Sequence, residues 1–265
     1  MASPDWPGLN PALDPLLLSR IEDAGLNASA PPQQLWLDGW LVRLSPGKAK
    51  RARCVNAVAA GRTPLRDKLA ACQAAFDRAA LPMIVRITPF TLPAELDATL
   101  AESGFRRFDN TRVMVLESLE NLPQLACDEA VILPVGLEAF AQRVGGFRGS
   151  PLRERQAHAH RLAHAPVPFH AFEMRIDGVV VGCGQFAVEG DLVGLYDVFT
   201  AESARRRGAA SALCAHLLTE AHSHGARHAY LQVEGDNHAA SAVYRRLGFT
   251  DAYAYHYRTL DSSAA

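Results

Sequence analysis

The sequence predicts an α/β protein, with strands and helices in layers, made of two similar halves. Strand-like and helix-like segments alternate along its 265 residues, and 49% of them are hydrophobic, enough for substantial cores. A shift of 144 residues places Gly104-Phe105 on Gly248-Phe249 and lays helix on helix and strand on strand around them. We therefore predict a domain over 1–118, an acidic linker over 119–130 and a second domain over 131–265. The alternative is that strand–helix–strand units look alike in any protein.

In the first half, the residues predict a helix around Leu16–Ala24, followed by two strands around Asp38-Gly39, a pair suited to a tight hairpin turn. Pro64 then opens an amphipathic helix whose apolar residues recur at helical spacing. A second helix stops at Gly104. The remaining predicted strands of this half lie within 51–60, 83–88 and 110–118.

The second half repeats that order. A long helix over 208–225 carries a stripe of alanine, leucine and cysteine residues, and a shorter helix begins at Asn237, a good N-cap residue. Asp177-Gly178 separates two strands in the same way as Asp38-Gly39 does in the first half. The predicted strands of this half cover 169–176, 179–188, 192–200, 228–234 and 252–260.

Charge and cysteine content argue against several classes of protein. A formal net charge of -1 gives no protein-wide electrostatic attraction to nucleic acid or to an anionic membrane. The five cysteines are scattered without a CxxC pair, as expected for free thiols in a reducing cytosol. No secretion signal or membrane-spanning run is recognised, so we expect a cytoplasmic protein with no membrane or nucleic-acid partner.

The segment Ser203–Leu213, SARRRGAASAL, concentrates three arginines between a predicted strand and a predicted helix. Unpaired backbone N–H groups and the positive end of a helix dipole would lie there beside the guanidinium groups, and Gly208 would let a ligand approach the main chain. This is the chemistry of a pyrophosphate site. The segment matches neither a Walker loop nor a Rossmann turn. A solvated helix start and a nucleic-acid patch are the alternatives.

The same segment resembles the acyl-CoA loop of the GNAT superfamily of N-acetyltransferases, whose pattern is Arg or Gln, two residues, Gly, one residue, and Gly or Ala. Arg205, Gly208 and Ala210 fit that pattern. The strand before the loop corresponds to Asp197-Val198-Phe199-Thr200. After the loop, the family's asparagine, tyrosine and Gly-Phe follow in order, at Asn237, Tyr244 and Leu247-Gly248-Phe249, with Ala240 on the same helix. One departure is Ala201-Glu202, where many relatives carry a proline.

The resemblance implies tandem GNAT-like domains, each a mixed, mostly antiparallel sheet flanked by helices, of which the second is catalytic. It implies acetyl-CoA as the acyl donor. The cofactor-binding residues that it implies are Val198, Phe199, Thr200, Arg205, Arg206, Arg207, Gly208, Ala209, Ala210, Ser211, Asn237, Ala240 and Tyr244.

No metal is expected, because neither group of histidines shows the arrangement of ligands with carboxylate or thiolate partners that zinc sites usually have. These groups are His158, His160 and His164, and His216, His222, His224 and His228.

Acyl transfer from a thioester to an amine needs a neutral amine, a bound carbonyl oxygen and a proton for the leaving sulfur. The resemblance implies that Tyr244 donates this proton. The base is open between Glu234 and Asp197, with Glu173 as a third possibility. A backbone N–H near Phe199 is expected to bind the thioester oxygen.

We expect direct attack by a primary amine in a ternary complex, because neither Cys183 nor Cys214 has a recognisable His–carboxylate partner. The acceptor is predicted to be a small-molecule or peptide amine, and the protein a monomer or homodimer. The Arg- and His-rich stretch 147–166 would hold the acceptor-binding helices and favours an acidic or polar acceptor. The alternatives are a longer acyl-CoA donor and a non-catalytic acyl-CoA-binding sensor or interaction module of the same fold.

The first half is expected to be degenerate and to wall the acceptor site of the second. Its equivalent helix entry contains Gly61 and Arg62 but does not match the acyl-CoA pattern, and Leu100 lies 144 residues before Tyr244. Its basic loop is expected to be a solvated hairpin edge, with a substrate-steering patch as the alternative. The basic residues of this loop are Lys48, Lys50, Arg51 and Arg53.

Overall fold

A computed structural model describes residues 8–261. Its strands are β1 (Gln34–Leu37), β2 (Trp40–Arg43), β3 (Val55–Ala57), β4 (Val85–Ile87), β5 (Arg106–Leu116), β6 (Ala130–Val135), β7 (Phe169–Ile176), β8 (Val179–Glu189), β9 (Leu192–Thr200), β10 (His228–Glu234) and β11 (Thr250–Thr259). Its helices are α1 (Pro15–Ala28), α2 (Leu65–Arg78), α3 (Leu96–Glu102), α4 (Leu137–Phe147), α5 (Leu152–Ala163), α6 (Ala209–Ser223) and α7 (His238–Arg246).

The strands of the described residues form one sheet in the order β1-β2-β3-β4-β11-β5-β10-β9-β8-β7-β6. Within it, β3 pairs with β4 and β9 with β10 in parallel, and the other neighbours are antiparallel. Each parallel pair is joined by a helix, α2 or α6, because parallel neighbours need a crossover connection. The predicted mixed, mostly antiparallel sheet flanked by helices is confirmed.

The two halves exchange a strand. After its parallel pair, each half continues through a short helix, α3 or α7, into a long last strand, β5 or β11. β5 lies between β10 and β11, so that Thr111 pairs with Glu234 on one side and with Tyr255 on the other. β11 in turn lies between β4 and β5. Each half therefore completes the sheet of the other, and the domain bounds 1–118 and 131–265 stay a prediction.

Helices cover both faces of the sheet in the second half. On one face, called the α4 face below, α1, α4 and α5 pack with the side chains of Tyr196 and Tyr230. On the opposite face, called the α6 face, α6 buries leucines against Leu195 and Val233, and α7 packs beside it. None of the described helices is both long and apolar enough to span a bilayer.

Local sequence explains most of the predicted elements. Asp38-Gly39 and Asp177-Gly178 both have positive φ angles, of 45° and 83° and of 50° and 76°, as a two-residue hairpin turn requires, so both predicted hairpins are confirmed. α1 begins at Pro15 because the Asp14 carboxylate accepts a hydrogen bond from the Leu16 N–H at 3.0 Å. β6 and α4 had no predicted counterpart. For β6 the reason is that it is an edge strand that contains Pro134.

Candidate active site

A cleft opens between β9 and β10. Their parallel pairing runs from Leu192 and His228 to Leu195 and Leu231 and stops there. Beyond it, β9 continues to Thr200 along β8, while β10 continues along β5. Because the two strands no longer bond each other, their carboxyl ends separate, which is where sheets with parallel strands commonly bind ligands.

A β-bulge lies at this cleft. Gln185 pairs with Tyr196 and Cys183 pairs with Phe199, so two residues of β9, Asp197 and Val198, face the single residue between Gln185 and Cys183. Asp197 has a φ of 52°, a left-handed conformation that is uncommon outside glycine. Bulges of this kind redirect side chains and backbone groups near functional sites. The backbone near Phe199, predicted to bind the thioester oxygen, follows directly after it.

The arginine segment forms the start of α6. Gly208 is the N-cap residue with a φ of 82°, and no side chain caps the helix. Among the described residues, the N–H groups from Arg206 to Ser211 bond no acceptor, and the first turn carries only Ala and Ser side chains. All three arginine side chains are exposed, and Arg205 Nε lies 3.4 Å from the Thr200 carbonyl oxygen. The segment therefore offers free N–H donors and positive charge at the edge of the cleft.

Tyr244 lies on α7, beside α6, and Asn237 is the N-cap residue of α7. The Tyr244 ring packs edge-on against Phe249 at 6.0 Å and is half-buried. Burial and the neighbouring Cys214 raise the pKa of Tyr244 and outweigh the opposite effect of Arg148, so the phenol is protonated at neutral pH. Asn237 caps the helix, because its Oδ1 accepts a hydrogen bond from the Ala240 N–H at 3.0 Å.

Asp197 is held as a carboxylate on the α4 face. Its Oδ1 accepts a hydrogen bond from Arg148 at 2.7 Å, and its Oδ2 accepts one from Gln185 at 2.8 Å and lies 3.3 Å from His158 Nε2. Burial alone would raise its pKa, but His158, Arg148 and Arg161 together hold the pKa of Asp197 well below its usual range. A carboxylate with so low a pKa is a weak proton acceptor.

The other two predicted carboxylates differ in surroundings. Glu234 is exposed at the end of β10 and shares the α4 face with Asp197, since Val233 beside it points to the α6 face. Glu173 is buried, with one oxygen 3.0 Å from Arg143 and the other 3.1 Å from Arg175. Both oxygens of Glu173 are therefore occupied, and Glu234 is the carboxylate that remains accessible.

The structure brings together residues of the site whose contacts were not predicted. Arg148 and His158 contact Asp197, from which they lie far apart in sequence, so no local motif connects them. Arg51 of the basic loop is half-buried and donates a hydrogen bond from Nη1 to the Tyr255 hydroxyl at 3.1 Å. The expectation of a solvated edge agrees with exposed Lys48 and is wrong for Arg51, because the loop folds inward over β11.

The thiols of the second half are not activated. Burial raises the pKa of both Cys183 and Cys214 to about 12, so neither is a thiolate at neutral pH. Within residues 8–261, no group of three or more His, Cys, Asp or Glu residues could hold a metal ion.

Comparisons with known proteins agree with this geometry. The family described as the acetyltransferase (GNAT) family matches residues 138–249. An uncharacterized N-acetyltransferase, YobR of Bacillus subtilis (strain 168), is 27% identical over 226 residues, which cover 83% of this chain and 89% of that protein.

Two solved structures share the fold. A GCN5-related N-acetyltransferase from Kribbella flavida has a TM-score of 0.67 at 18% identity and covers 92% of this chain and 95% of its own. A tandem GNAT protein from the clavulanic acid biosynthesis pathway has a TM-score of 0.58 at 14% identity, over 76% of this chain and 70% of its own. The second of these supports the predicted tandem arrangement. Residues 138–249 thus match the acetyltransferase (GNAT) family, and the fold around them is shared with GNAT proteins.

Proposed function

We propose that the protein transfers an acyl group, in the first place acetyl from acetyl-CoA, to a primary amine in the cleft between β9 and β10. The observation that carries the proposal is the start of α6, where backbone N–H groups without an acceptor and three arginines adjoin the open ends of a parallel strand pair. Acetyl-CoA supplies the activated acyl group. The pyrophosphate would lie on the backbone from Arg206 to Ser211, beside Asn237 and Ala240.

The side chains divide the proton transfers between the two faces of the sheet. Tyr244 on the α6 face is protonated and donates to the leaving sulfur. Glu234 on the α4 face accepts the amine proton, directly or through a water, because it is the accessible carboxylate there. Asp197 stays ionised and fixes Arg148 and His158. Attack on the thioester is direct, since the thiols of Cys183 and Cys214 are protonated.

The first experiment is a thermal melt of the protein with and without acetyl-CoA. Ligand at about 100 times its Kd stabilises by ~2.7 kcal/mol, which raises the Tm by several degrees. No rise with acetyl-CoA, free CoA or longer acyl-CoAs refutes the proposal, and a larger rise with a longer chain reassigns the donor.

Tyr244→Phe separates an enzyme from a sensor. The variant keeps the Tm rise and loses turnover by about 10²–10⁴-fold, measured as CoA thiol release, because it lacks the proton donor. A variant with wild-type turnover would exclude Tyr244 as the acid. A wild-type protein that binds acetyl-CoA but acylates no amine would be a sensor of the same fold.

A further inference from the structure

We propose that the acceptor amine carries an anionic group, a carboxylate or a phosphate, that Arg51 and Arg161 bind on the α4 face of the cleft. This inference rests on the proposed acyl transfer and names its substrate class. It starts from the ion pairs among the described residues of this region, in which two half-buried arginines, Arg51 and Arg161, take no part.

Several cations of this region have a carboxylate of their own. Arg148 pairs with Asp197 at 2.7 Å. Lys50 of the basic loop pairs with Asp109 at 2.9 Å. Arg86 pairs with the buried Glu22 through both of its terminal nitrogens. These charges are compensated within the protein and call for no further anion.

Arg51 has no such partner. Among residues 8–261 it forms no ion pair, and its Nε is buried without a hydrogen bond. Its Nη1 donates to Tyr255, whose hydroxyl donates to Gln232 Oε1 at 2.8 Å. Gln232 is the first residue of β10 beyond the parallel pairing. Arg51 is therefore linked by two hydrogen bonds to the point where the cleft opens.

Arg161 is the second uncompensated cation. It lies on α5, donates to the Ala28 carbonyl oxygen at 3.0 Å and forms no ion pair with a described carboxylate. Burial lowers the pKa of Arg161, the charge of Asp197 raises it, and the charge of Arg51 lowers it further. The Arg161 guanidinium also lies 6.0 Å from the centre of the Phe169 ring, which in turn lies 5.6 Å from the ring of Tyr196.

Both arginines influence the residue next to the bulge. The charges of Arg51 and Arg161 each lower the pKa of Tyr196, the residue before Asp197 on β9, although its burial raises that pKa to about 12 overall. Partial burial of two guanidinium groups without a paired anion is unfavourable, and a bound carboxylate or phosphate would offset that cost through charge-assisted hydrogen bonds. The electrostatics of this part of the cleft therefore suit an anion.

The location fits an acceptor rather than the donor. Arg51 and Arg161 lie on the same sheet face as Asp197 and Glu234, whereas α6 and Tyr244 pack on the other face. The basic loop also reaches α5, with Gly47 against Ala157. An acceptor that enters on the α4 face would place its acidic group on the two arginines and its amine towards the bulge.

The test uses matched amines that differ in one anionic group. Rates of CoA release from acetyl-CoA are compared for tyrosine and tyramine, for glucosamine 6-phosphate and glucosamine, and for a polycationic aminoglycoside. In the pair whose anion fits, the member with the anionic group exceeds the member without it by about tenfold in kcat/KM, mainly through KM, the order expected of one charge-assisted hydrogen bond. The first pair tests a carboxylate and the second a phosphate.

Two variants connect that preference to the arginines. Arg51→Gln removes the preference for the anionic amine. If that variant folds poorly, Arg161→Gln is expected to remove the same preference. Lys48→Gln, on the exposed part of the same loop, keeps it. The proposal is overturned if the amines without an anionic group, or the polycationic aminoglycoside, have an equal or higher kcat/KM. It is also overturned if the preference for the anionic amine survives in both arginine variants.

If none of the amines is acylated, calorimetric titration of the same amines into the CoA-saturated protein measures their affinities instead. Tighter binding of an anionic member, lost in Arg51→Gln, supports the proposal, and binding that is equal or undetectable within every pair overturns it. Failure of the acyl-transfer proposal itself is seen separately, as the absence of a Tm rise with acetyl-CoA.

Discussion

The loop before α2 and the loop before α6 follow equivalent strands but treat anions in opposite ways. Before α2, the amides of Arg62 and Thr63 donate to the Asp38 carboxylate at 2.8 and 2.7 Å, and the buried ammonium of Lys68 lies 3.2 Å from the same group. Before α6, the corresponding amides bond no described acceptor. The first half thus occupies with its own side chain the position that the second half leaves open.

The carboxyl ends of the parallel strands are also closed in the first half and open in the second. In the first half the Leu92 N–H bonds the Ala57 carbonyl oxygen at 2.8 Å, across the end of β3, and the Glu22–Arg86 pair lies beneath. A cavity of about 400 Å³ remains there, lined by Glu22, Arg86 and the segment 88–92. In the second half no segment bridges β9 and β10 beyond Leu195 among the described residues. The same backbone unit is therefore bridged in one half and open in the other.

The length of one hairpin explains why only the first half is filled. β2 begins at Trp40, which pairs directly with Ala57, so the turn at Asp38 reaches the following loop. β8 begins at Val179, three residues before Gly182 pairs with Thr200, so the turn at Asp177 lies beyond the loop. The hairpin extension keeps a carboxylate away from the start of α6.

The largest expected effect comes from separating the halves. Residues 1–118 produced alone lack β11, which pairs with both β4 and β5, and we expect no cooperative thermal transition by circular dichroism. The control is the full chain cut at a protease site inserted between Gln124 and Leu125, both exposed, whose fragments should stay associated. A sharp melt of the isolated first half would show that it folds without the exchanged strand.

Next in size is the ion pair that supports the first half. Glu22→Gln leaves Arg86 buried without its counter-charge, which destabilises the protein by about 3–5 kcal/mol, or roughly 10 °C in Tm. Asp23→Asn, at the exposed neighbouring position, should change the Tm little. Acetyl-CoA should still raise the Tm of Glu22→Gln, because the pair lies outside the second cleft. A Tm equal to that of the wild type would mean that the pair contributes no net stability.

A smaller effect is expected from placing a carboxylate in the second half, as Asp38 does in the first. Gly208→Glu would remove the stabilisation by acetyl-CoA, ~2.7 kcal/mol at about 100 times Kd, by excluding the anion. Gly190→Glu is the matched control, because Gly190 also has a positive φ, 61°, with open space beside it, but lies in the β8–β9 turn. A Tm rise retained in Gly208→Glu would place the cofactor elsewhere.

Sequence reading succeeded where the information is local. The turns at Asp38 and Asp177, and the glycine at the start of α6, depend on neighbouring residues and were predicted correctly. It could not predict the exchange of β5 and β11, because strand pairing over more than a hundred residues leaves no local pattern. For the same reason the contacts of Asp197 with Arg148 were not foreseen.

The smallest expected effect is a pH dependence. The amides of Thr63 and Arg62, and also Lys68, lower the pKa of Asp38 below its ordinary 3.8. A pKa lowered by folding stabilises the protein above that ordinary value and stops doing so as the pH falls below it. Between about pH 7 and about pH 3, the wild type should therefore lose more Tm than Asp38→Asn.

Asp177→Asn, in the equivalent turn, should follow the wild type, since no described N–H donates to Asp177. Parallel curves for Asp38→Asn and the wild type would show that the loop amides do not hold the carboxylate in solution, and the contrast between the two loops would then rest on the arginines alone.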